Sequence, residues 1–360
     1  MNAPDVSPIH PWNEAKAIAL QRDRQHLPHA LLFAGPKGLG KNALATWLAQ
    51  LLLCAKPSSE GNPCGLCQSC RLFAAGSHPD LHVLQPEANY KSSDSLIAQY
   101  ALRYAPADKS KESKDSTVIR IDQVRSLIED AQTRPQIAAC KVMLLSPADT
   151  MNVNSANSLL KLLEEPPPDS YLVLAADHPA RLPATIRSRC ARMEFRAPPA
   201  ETAQAWLQAQ NLSSSDAKLL LELAAGAPLT ALEYAKTDFL GQRATLLGDM
   251  EHLAGGQDDP LGCATRWKAL GTERCLLWLQ GWLSDLMLIA IQANTERLHN
   301  PDLRPRLQAL EKRLNLKQLF SFADRVAQGR SLLGGPLDEQ LLLEDLLISW
   351  TELHHLETHE

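Results

Sequence analysis

The glycine-rich segment Gly35–Asn42 is the feature that most restricts the fold of this chain. It reads Gly-Pro-Lys-Gly-Leu-Gly-Lys-Asn, follows the apolar run at 31–34, and precedes a run with helical periodicity, NALATWLAQLLLC. A strand, a glycine turn and a helix in this order are the context of a phosphate-binding P-loop. A glycine turn without any ligand is the alternative, because glycine spacings match many unrelated loops.

The nucleotide-binding candidates within this segment are backbone and side-chain groups. In a P-loop the amides of the turn and of the helix N-terminus cradle phosphates, and the lysine, here Lys41, reaches the terminal ones. The next residue is usually Ser or Thr, whose hydroxyl ligates Mg²⁺. Here it is Asn42, a poorer ligand. We therefore expect at most weak binding of ATP or ADP, with phosphate contacts at Gly35, Gly38, Gly40, Lys41 and Asn42.

The strand that should carry the catalytic acids lacks them. Hydrolysis of ATP requires a carboxylate at the end of a second strand to hold the metal, and a neighbouring group to position water. The matching strand is Lys141–Leu145, and the next residues are Ser146 and Pro147. Asp149 lies further on, and we interpret it as the N-cap of the following helix rather than as a catalytic group, since Asp is a favoured cap. The pattern predicts poor hydrolysis.

Four closely spaced cysteines predict a metal site. Cys54, Cys64, Cys67 and Cys70 lie within seventeen residues, and their spacing is Cys-x9-Cys-x2-Cys-x2-Cys. Four thiolates satisfy a tetrahedral Zn²⁺ and leave no open position, which indicates a structural metal. A redox relay and chance are the alternatives, and redox Cys-x-x-Cys motifs usually stand alone. The isolated cysteines are interpreted as small buried apolar side chains. They are Cys140, Cys190, Cys263 and Cys275.

The pattern of apolar runs divides the chain. From about residue 28 to 198, short apolar runs alternate with helical patterns, which predicts an α/β fold with a parallel sheet and crossover helices. After Pro198–Pro199 only helical periodicity remains, so the proline pair is a predicted boundary. We expect domains at 1–198, 199–239 and 240–360. Within the first, a knob at 54–70 holds the zinc, and the polar stretch near 105–117 is predicted to be a mobile surface loop.

Composition excludes several function classes. The chain has 360 residues, of which 45% are hydrophobic, so it can bury more than one core. Its 36 basic and 41 acidic residues give a net charge of −5, which argues against a lone chain held on nucleic acid by charge. The N-terminal residues lack a basic region followed by an apolar one, so we expect a cytoplasmic protein. Polar residues interrupt the apolar stretch Cys275–Ile291, which predicts no membrane span.

Six segments in one order resemble a known family. They are HALLFAGPKGLGKNALA, the cysteine cluster, SHPDLHVL, IRIDQVRSLIEDAQTRP, KVMLLSPADTMNVNSANSLLKLLEEPPP and LPATIRSRCARMEF. Together they resemble the delta prime subunits of bacterial DNA polymerase III clamp loaders and, more distantly, the gamma/tau motor subunits. The resemblance is strong over 28–198, weaker through the next helical unit, and only architectural beyond it.

The resemblance implies a RecA-like AAA+ domain, a small helical lid and an all-helical collar domain. It also implies a pentameric ring with gamma/tau and delta subunits, which opens a sliding clamp and places it on primed DNA. Ser188-Arg189-Cys190 matches the family's arginine-finger motif, so Arg189 is expected to act on a neighbour's ATP.

The helix that contains Lys161 lies near the ring's inner surface in the family. Lys161 is therefore a candidate for contact with DNA, and a solvated lysine is the alternative.

Departures from the motor subunits indicate a chain without hydrolytic activity of its own, although it is part of a polymerase holoenzyme. The motors have an acidic pair where this chain has Ser146 and Pro147, a polar sensor where it has Ala176, and a lid arginine where it has Leu229. Two other functions stay open. One is a catalytic gamma/tau-like ATPase, and the other is a zinc-stabilised nucleic-acid-binding adaptor.

Overall fold

The structure is a computed structural model, and it describes residues 9–93, 95–105, 115–291, 298–312, 314–333 and 337–355. Most of the loop predicted near 105–117 lies outside the described residues. The chain divides into two compact units. One comprises Met1–Trp206 with Ala227–Thr230, and the other comprises Leu207–Gly226 with Ala231–Glu360. The division into three domains stays a prediction.

The first unit contains a five-stranded sheet in which every pair of neighbours is parallel. Its strand order is β2-β3-β4-β1-β5. The central strands are buried on both faces, as parallel sheets covered by helices require. The strands are β1 (Ala30–Ala34), β2 (Leu81–Leu84), β3 (Lys141–Leu145), β4 (Ser170–Ala176) and β5 (Ala191–Glu194).

Helices connect and cover these strands, and helices are the regular elements among the described residues of the second unit. In chain order they are α1 (Glu14–Arg22), α2 (Lys41–Leu53), α3 (Gln68–Ala74), α4 (Glu87–Lys91), α5 (Leu96–Ala101), α6 (Ile121–Ala131), α7 (Val153–Glu164), α8 (Ala184–Arg187), α9 (Ala200–Ala209), α10 (Ser214–Leu223), α11 (Pro228–Lys236), α12 (Phe239–Ala254), α13 (Pro260–Leu270), α14 (Thr272–Ala290), α15 (Arg304–Glu311), α16 (Leu316–Ser331) and α17 (Glu339–His355).

Apolar side chains at helical and strand spacing build the core of the first unit. Leu32 of β1 and Leu174 of β4 lie in it together with Leu127 of α6 and Leu159 of α7, and all four are fully buried. Leu159, Leu162 and Leu163 share one face of α7, because residues three and four apart are neighbours on a helix. The predicted leucine-rich helix is thus a core element, and its polar face carries Lys161.

The second unit has a core of its own. Trp267, Trp282 and Trp350 are buried at its centre. Helix α13 packs against α17, and α14 against α16. Within the part of the chain that the structure describes, residues from 200 onward form helices and no strand. The predicted fold class, a parallel α/β domain followed by helical segments, is confirmed. No helix among the described residues combines the length and apolar character that a membrane span needs.

Candidate functional site

The glycine-rich loop lies at the carboxyl edge of the sheet, as the sequence predicted. Strand β1 ends at Ala34, and α2 begins at Lys41. Gly38 and Gly40 have φ angles of 83° and 81°, which L side chains rarely adopt. A Cβ atom at Gly35 would lie 2.1 Å from the carbonyl oxygen of Phe195, so only glycine fits there. The loop therefore has the backbone of a P-loop.

Lys41 is fully engaged inside its own unit. Its Nζ donates to the carbonyl oxygens of Gly35 at 2.7 Å and Pro36 at 2.6 Å. It also forms an ion pair with Asp177 Oδ1 at 2.6 Å. Only 4% of the lysine side chain is exposed. An ammonium group has three N–H donors, so these three oxygens match its donors one for one.

The two positions that would hold magnesium in an active P-loop ATPase contact each other here. The hydroxyl of Ser146, directly after β3, donates to Oδ1 of Asn42 at 2.6 Å. Asn42 therefore offers its amide oxygen to a side chain rather than to a cation. Pro147 follows and has no ligand atom in its side chain. The expected absence of an acidic pair at this strand end is thus accompanied by a direct hydrogen bond across the site.

The interpretation of Asp149 as the cap of the next helix is wrong. The cap of α7 is Asn152, whose side chain accepts from the amide of Ser155 at 2.8 Å. Asp149 instead accepts the amides of Asp177 at 2.8 Å and His178 at 3.0 Å. The reason is that α7 starts four residues after Asp149, which leaves the carboxylate free to reach the chain after β4. Asp149 thereby holds Asp177 in place.

A segment before the first helix covers the P-loop. Trp12 Nε1 and Asn13 Nδ2 both donate to the carbonyl oxygen of Leu39, at 3.0 and 2.8 Å. The ring of His10 stacks on that of Trp12, with centroids 4.9 Å apart. A Cβ atom at Gly40 would lie 2.5 Å from Cδ2 of His10. This cover could not be predicted from residue spacing, because the aromatic residues that form it match no motif.

Residues from later in the chain complete the cover within the same unit. The amide of Leu229 donates to the carbonyl oxygen of Gly38 at 3.1 Å. A Cβ atom at Gly38 would lie 2.1 Å from Oγ1 of Thr230. Trp206 meets the ring of Trp12 edge-on, with centroids 5.3 Å apart. Leu229 therefore contacts the loop through its backbone.

The four predicted cysteine ligands converge in the structure. The sulfur atoms of Cys54, Cys64, Cys67 and Cys70 all lie within 4.8 Å of one another. The Cys54–Cys64 and Cys64–Cys70 sulfur distances are 3.6 and 4.0 Å. A tetrahedral zinc with Zn–S bonds of about 2.3 Å requires sulfurs about 3.8 Å apart. The donor set and its spacing therefore fit zinc.

Backbone amides point at these sulfurs. The amide of Cys64 donates to the sulfur of Cys54 at 3.3 Å, and the amides of Cys67 and Cys70 donate to Cys64 and Cys67 at 3.4 Å each. Amides of Cys67 and Leu66 lower the pKa of the Cys64 thiol to about 6, because they stabilise its thiolate. Such bonds favour the charged form that a metal requires.

Ser69 ties the cysteine knob to the end of α2 and to the segment before β2. Its hydroxyl donates to the carbonyl oxygen of Leu53 at 2.5 Å and lies 2.6 Å from Nε2 of His78. Nδ1 of His78 accepts from the amide of Asp80, so Nε2 carries the proton of the neutral ring. This contact was missed from the sequence, although His78 and Asp80 belong to one of the segments that carry the family resemblance.

Arg189 is exposed and makes its contacts inside its own unit. Its Nη2 lies 2.6 Å from Oε1 of Glu164, and its Nη1 donates to the carbonyl oxygen of Thr185 at 3.0 Å. The side chains of Arg189 and Glu164 are 36% and 50% exposed. Lys161 is also exposed, in the last turn of α7. Both residues are thus accessible for contacts with other molecules.

A buried histidine network lies beside β2. His82 Nδ1 is 2.6 Å from the hydroxyl of Tyr104 and 3.3 Å from Nη1 of Arg103. The Tyr104 hydroxyl also donates to Asp130 at 2.7 Å. Burial, and then the charge of Arg103, lower the pKa of His82 to about 4, and the carboxylate of Asp130 opposes this only in part. His82 is therefore neutral in the folded protein at pH 7.

Family models and curated relatives match most of this chain. The family model described as DNA polymerase III, delta subunit matches residues 13–199, and its C-terminal counterpart matches residues 237–352. The DNA polymerase III subunit delta' of Pseudomonas aeruginosa is 35% identical over 353 residues, which are 97% of this chain and 99% of that protein. The delta' subunit of Escherichia coli is 30% identical and covers 94% of this chain and 93% of its own length.

Solved structures align with this chain only at low identity. A DNA polymerase III gamma subunit-related protein of Thermotoga maritima covers 94% of this chain and 99% of its own, at 14% identity and a TM-score of 0.46. The assignment rests on the sequence relatives, which are 30% and 35% identical over almost their full length, and on the family model that matches more than half of the chain. The chain therefore belongs to the family of DNA polymerase III delta' subunits.

Proposed function

We propose that this chain is a clamp-loader subunit that does not hydrolyse ATP itself and supplies Arg189 to the ATP site of a neighbouring motor subunit. The observation that carries the proposal is the contrast between two sites. The P-loop lysine is 4% exposed and engaged by Asp177, whereas Arg189 is exposed. A site closed to substrate and an accessible guanidinium are what a non-hydrolysing partner of an ATPase requires.

The ion pair with Glu164 is compatible with this role. Exposed ion pairs are worth about 0–1 kcal/mol. An arginine gains more from a bidentate contact with the phosphates of ATP than from this single exposed contact, because two charge-assisted hydrogen bonds then form in place of one. Arg189 can therefore exchange Glu164 for a phosphate at small cost when a neighbour presents one.

The proposed partners are gamma/tau and delta subunits in a pentameric ring, with the sliding clamp and primed DNA engaged through the complex. Zn²⁺ is the proposed structural cofactor, held by the four cysteines of the knob. Metal binding supplies folding free energy, which a short knob needs. Lys161 is a proposed DNA contact, since it is exposed on the polar face of α7.

The experiment is a reconstitution of the ring with wild-type chain, Arg189→Ala, or Arg187→Ala as the matched control, because Arg187 is an exposed arginine two residues away. An arginine finger is worth about 10³–10⁵ in rate at its own site. Only one of several sites depends on Arg189, so Arg189→Ala should lower total DNA-stimulated ATPase in part and impair clamp loading. Arg187→Ala should leave both unchanged. An unchanged ATPase rate per assembled ring with Arg189→Ala would contradict the proposal.

Lys161 is tested in the same assembly. Loss of a single phosphate contact should weaken binding of primed DNA by the ring and reduce the salt dependence by about one ion. The charge-matched control is Lys218→Ala on α10 of the second unit. If both substitutions weakened DNA binding equally, the effect would come from net charge, and Lys161 would not be a specific DNA contact. The adaptor alternative requires the free chain to bind DNA with a steep salt dependence. We expect the free chain to show no such binding.

A further inference from the structure

We propose that Asp177 is a built-in substitute for phosphate, which occupies the P-loop lysine and keeps phosphate groups out of the loop. The inference extends the proposed function, because it rests on this chain having no hydrolysis of its own and names what holds the site closed. Asp177 directly follows β4, the neighbour of β1 in the sheet. The parallel pairing brings the end of β4 beside the start of the loop, where the Gly35 amide donates to Ala176 at 3.2 Å.

The carboxylate of Asp149 holds the backbone of Asp177 in position. Its amide donates to the carboxylate of Asp149, and the amide of His178 donates to the second oxygen of the same group. The side chain of Asp149 is 3% exposed. A buried carboxylate with two amide partners is a rigid support. Asp177 is thus held with its own carboxylate 2.6 Å from Lys41 Nζ.

The backbone carbonyl oxygens of the loop are all used in hydrogen bonds within the first unit. The carbonyl oxygens of all five residues from Gly35 to Leu39 accept hydrogen bonds from groups of the same unit. The donors are Lys41, Thr230, Leu229, Trp12 and Asn13. A phosphate needs N–H groups and a cation directed at it. Here the cation has three oxygens already, and one of them is anionic, so an external phosphate must displace Asp177 first.

The competition predicts a specific gain of binding. When a tethered group occupies a site for about nine-tenths of the time, an external ligand binds about tenfold more weakly, because only the open fraction is competent. Replacing Asp177 by a neutral residue should therefore raise the affinity for inorganic phosphate about tenfold. The gain must depend on Lys41, since the lysine is the group released.

The test uses the full-length chain and inorganic phosphate, with chloride at equal ionic strength as the reference. Four proteins are compared by calorimetric titration and thermal melting: wild type, Asp177→Asn, Asp177→Glu, and the double variant Lys41→Met with Asp177→Asn. Circular dichroism checks that each is folded, and Asp177→Ser replaces Asp177→Asn if the latter does not fold. We expect tighter phosphate binding in Asp177→Asn alone, and wild-type behaviour in Asp177→Glu and in the double variant.

Three results would overturn the inference. The first is equal phosphate affinity in wild type and Asp177→Asn, including the case in which neither binds. The second is a gain that persists in the double variant, because binding would then be elsewhere. The third is a gain in Asp177→Glu equal to that in Asp177→Asn. All measurements use the free chain, so this inference and the Arg189 proposal, which is tested in the ring, fail independently.

Discussion

The guanidinium of Arg189 and the carboxylate of Glu164 are 2.6 Å apart, at the C-terminal end of α7. The contact pairs the proposed catalytic arginine with an acid of its own unit. Arg189 can therefore have two roles, which are to support the local fold through Glu164 or to act on another chain. Removing the carboxylate of Glu164 distinguishes them.

Glu164→Gln should leave the ring's DNA-stimulated ATPase unchanged or raise it by no more than about fivefold. The reason is that an exposed pair is worth about 0–1 kcal/mol, which is the most that releasing Arg189 can gain. The measurement is the ATPase rate per assembled ring beside Arg189→Ala. If Glu164→Gln lowered the rate as much as Arg189→Ala does, the pair would be structural and the arginine would not act in trans.

The chain should contain one tightly bound zinc. The Cys67→Ala variant should lose the zinc and melt at a lower temperature. Loss of a group that hydrogen-bonds to a metal ligand lowers metal affinity about 10–100-fold, and loss of the ligand itself should lower it further. Cys190→Ala is the matched control, since Cys190 is buried outside the cluster. It should retain full zinc. Elemental analysis of protein purified without added metal decides the matter, and a folded wild type without zinc would refute the assignment.

The isolated chain should show negligible ATP turnover, and Lys41→Met should act on stability instead. The substitution leaves Asp177, which is 23% exposed, without its counter-charge, and two loop carbonyls without a donor. A loss of about 1–3 kcal/mol of unfolding free energy is expected. Lys161→Met, at an exposed position, should change it by less than about 0.5 kcal/mol. Steady turnover that Lys41→Met abolishes would favour the gamma/tau-like alternative.

Stability should fall as the pH is lowered from about 6.5 to about 4. The folded pKa of His82, about 4, lies below the value of 6.5 in an unfolded chain. The unfolded state therefore binds more protons in this window, and unfolding becomes easier as pH falls. A difference of about 2.5 pH units corresponds to about 3 kcal/mol. Burial also lowers the pKa of His10 and of His78, which act in the same direction.

The test for this histidine is His82→Gln, which removes the titrating group and keeps a polar side chain. The melting temperature of wild type and variant is followed between pH 4 and pH 7.5. The variant should be less stable at pH 7.5, where His82 is neutral in both states, and should lose less stability on acidification. Parallel curves would show that His82 does not titrate in this window.

The features that were predicted correctly depend on residues close together in the sequence. The cysteine spacing predicted four convergent sulfurs, because short Cys-x2-Cys turns place their own ligands. The glycine spacing predicted the P-loop backbone, since positive φ angles at Gly38 and Gly40 leave few other residues acceptable. The leucines of α7 predicted its buried face in the same way.

Contacts between distant segments were not accessible from these patterns. Asp177 follows a predicted strand, but its approach to Lys41 depends on β4 lying beside β1, an order that no periodicity reveals. Asp149 was misassigned for the same reason, because its partners Asp177 and His178 lie on another strand's end. The contact of Trp12 with Leu39 joins residues 27 positions apart, and Trp12 itself belongs to no motif.

Helix α2 begins at the P-loop lysine and ends at Leu53, directly before the first cysteine of the knob. Thirteen residues at 1.5 Å each make a rod of about 20 Å. Sample history therefore matters for experiments at the P-loop. Loss of the proposed zinc to a chelator or an oxidant would release the far end of the same rod, so phosphate binding should be measured on protein kept in reductant.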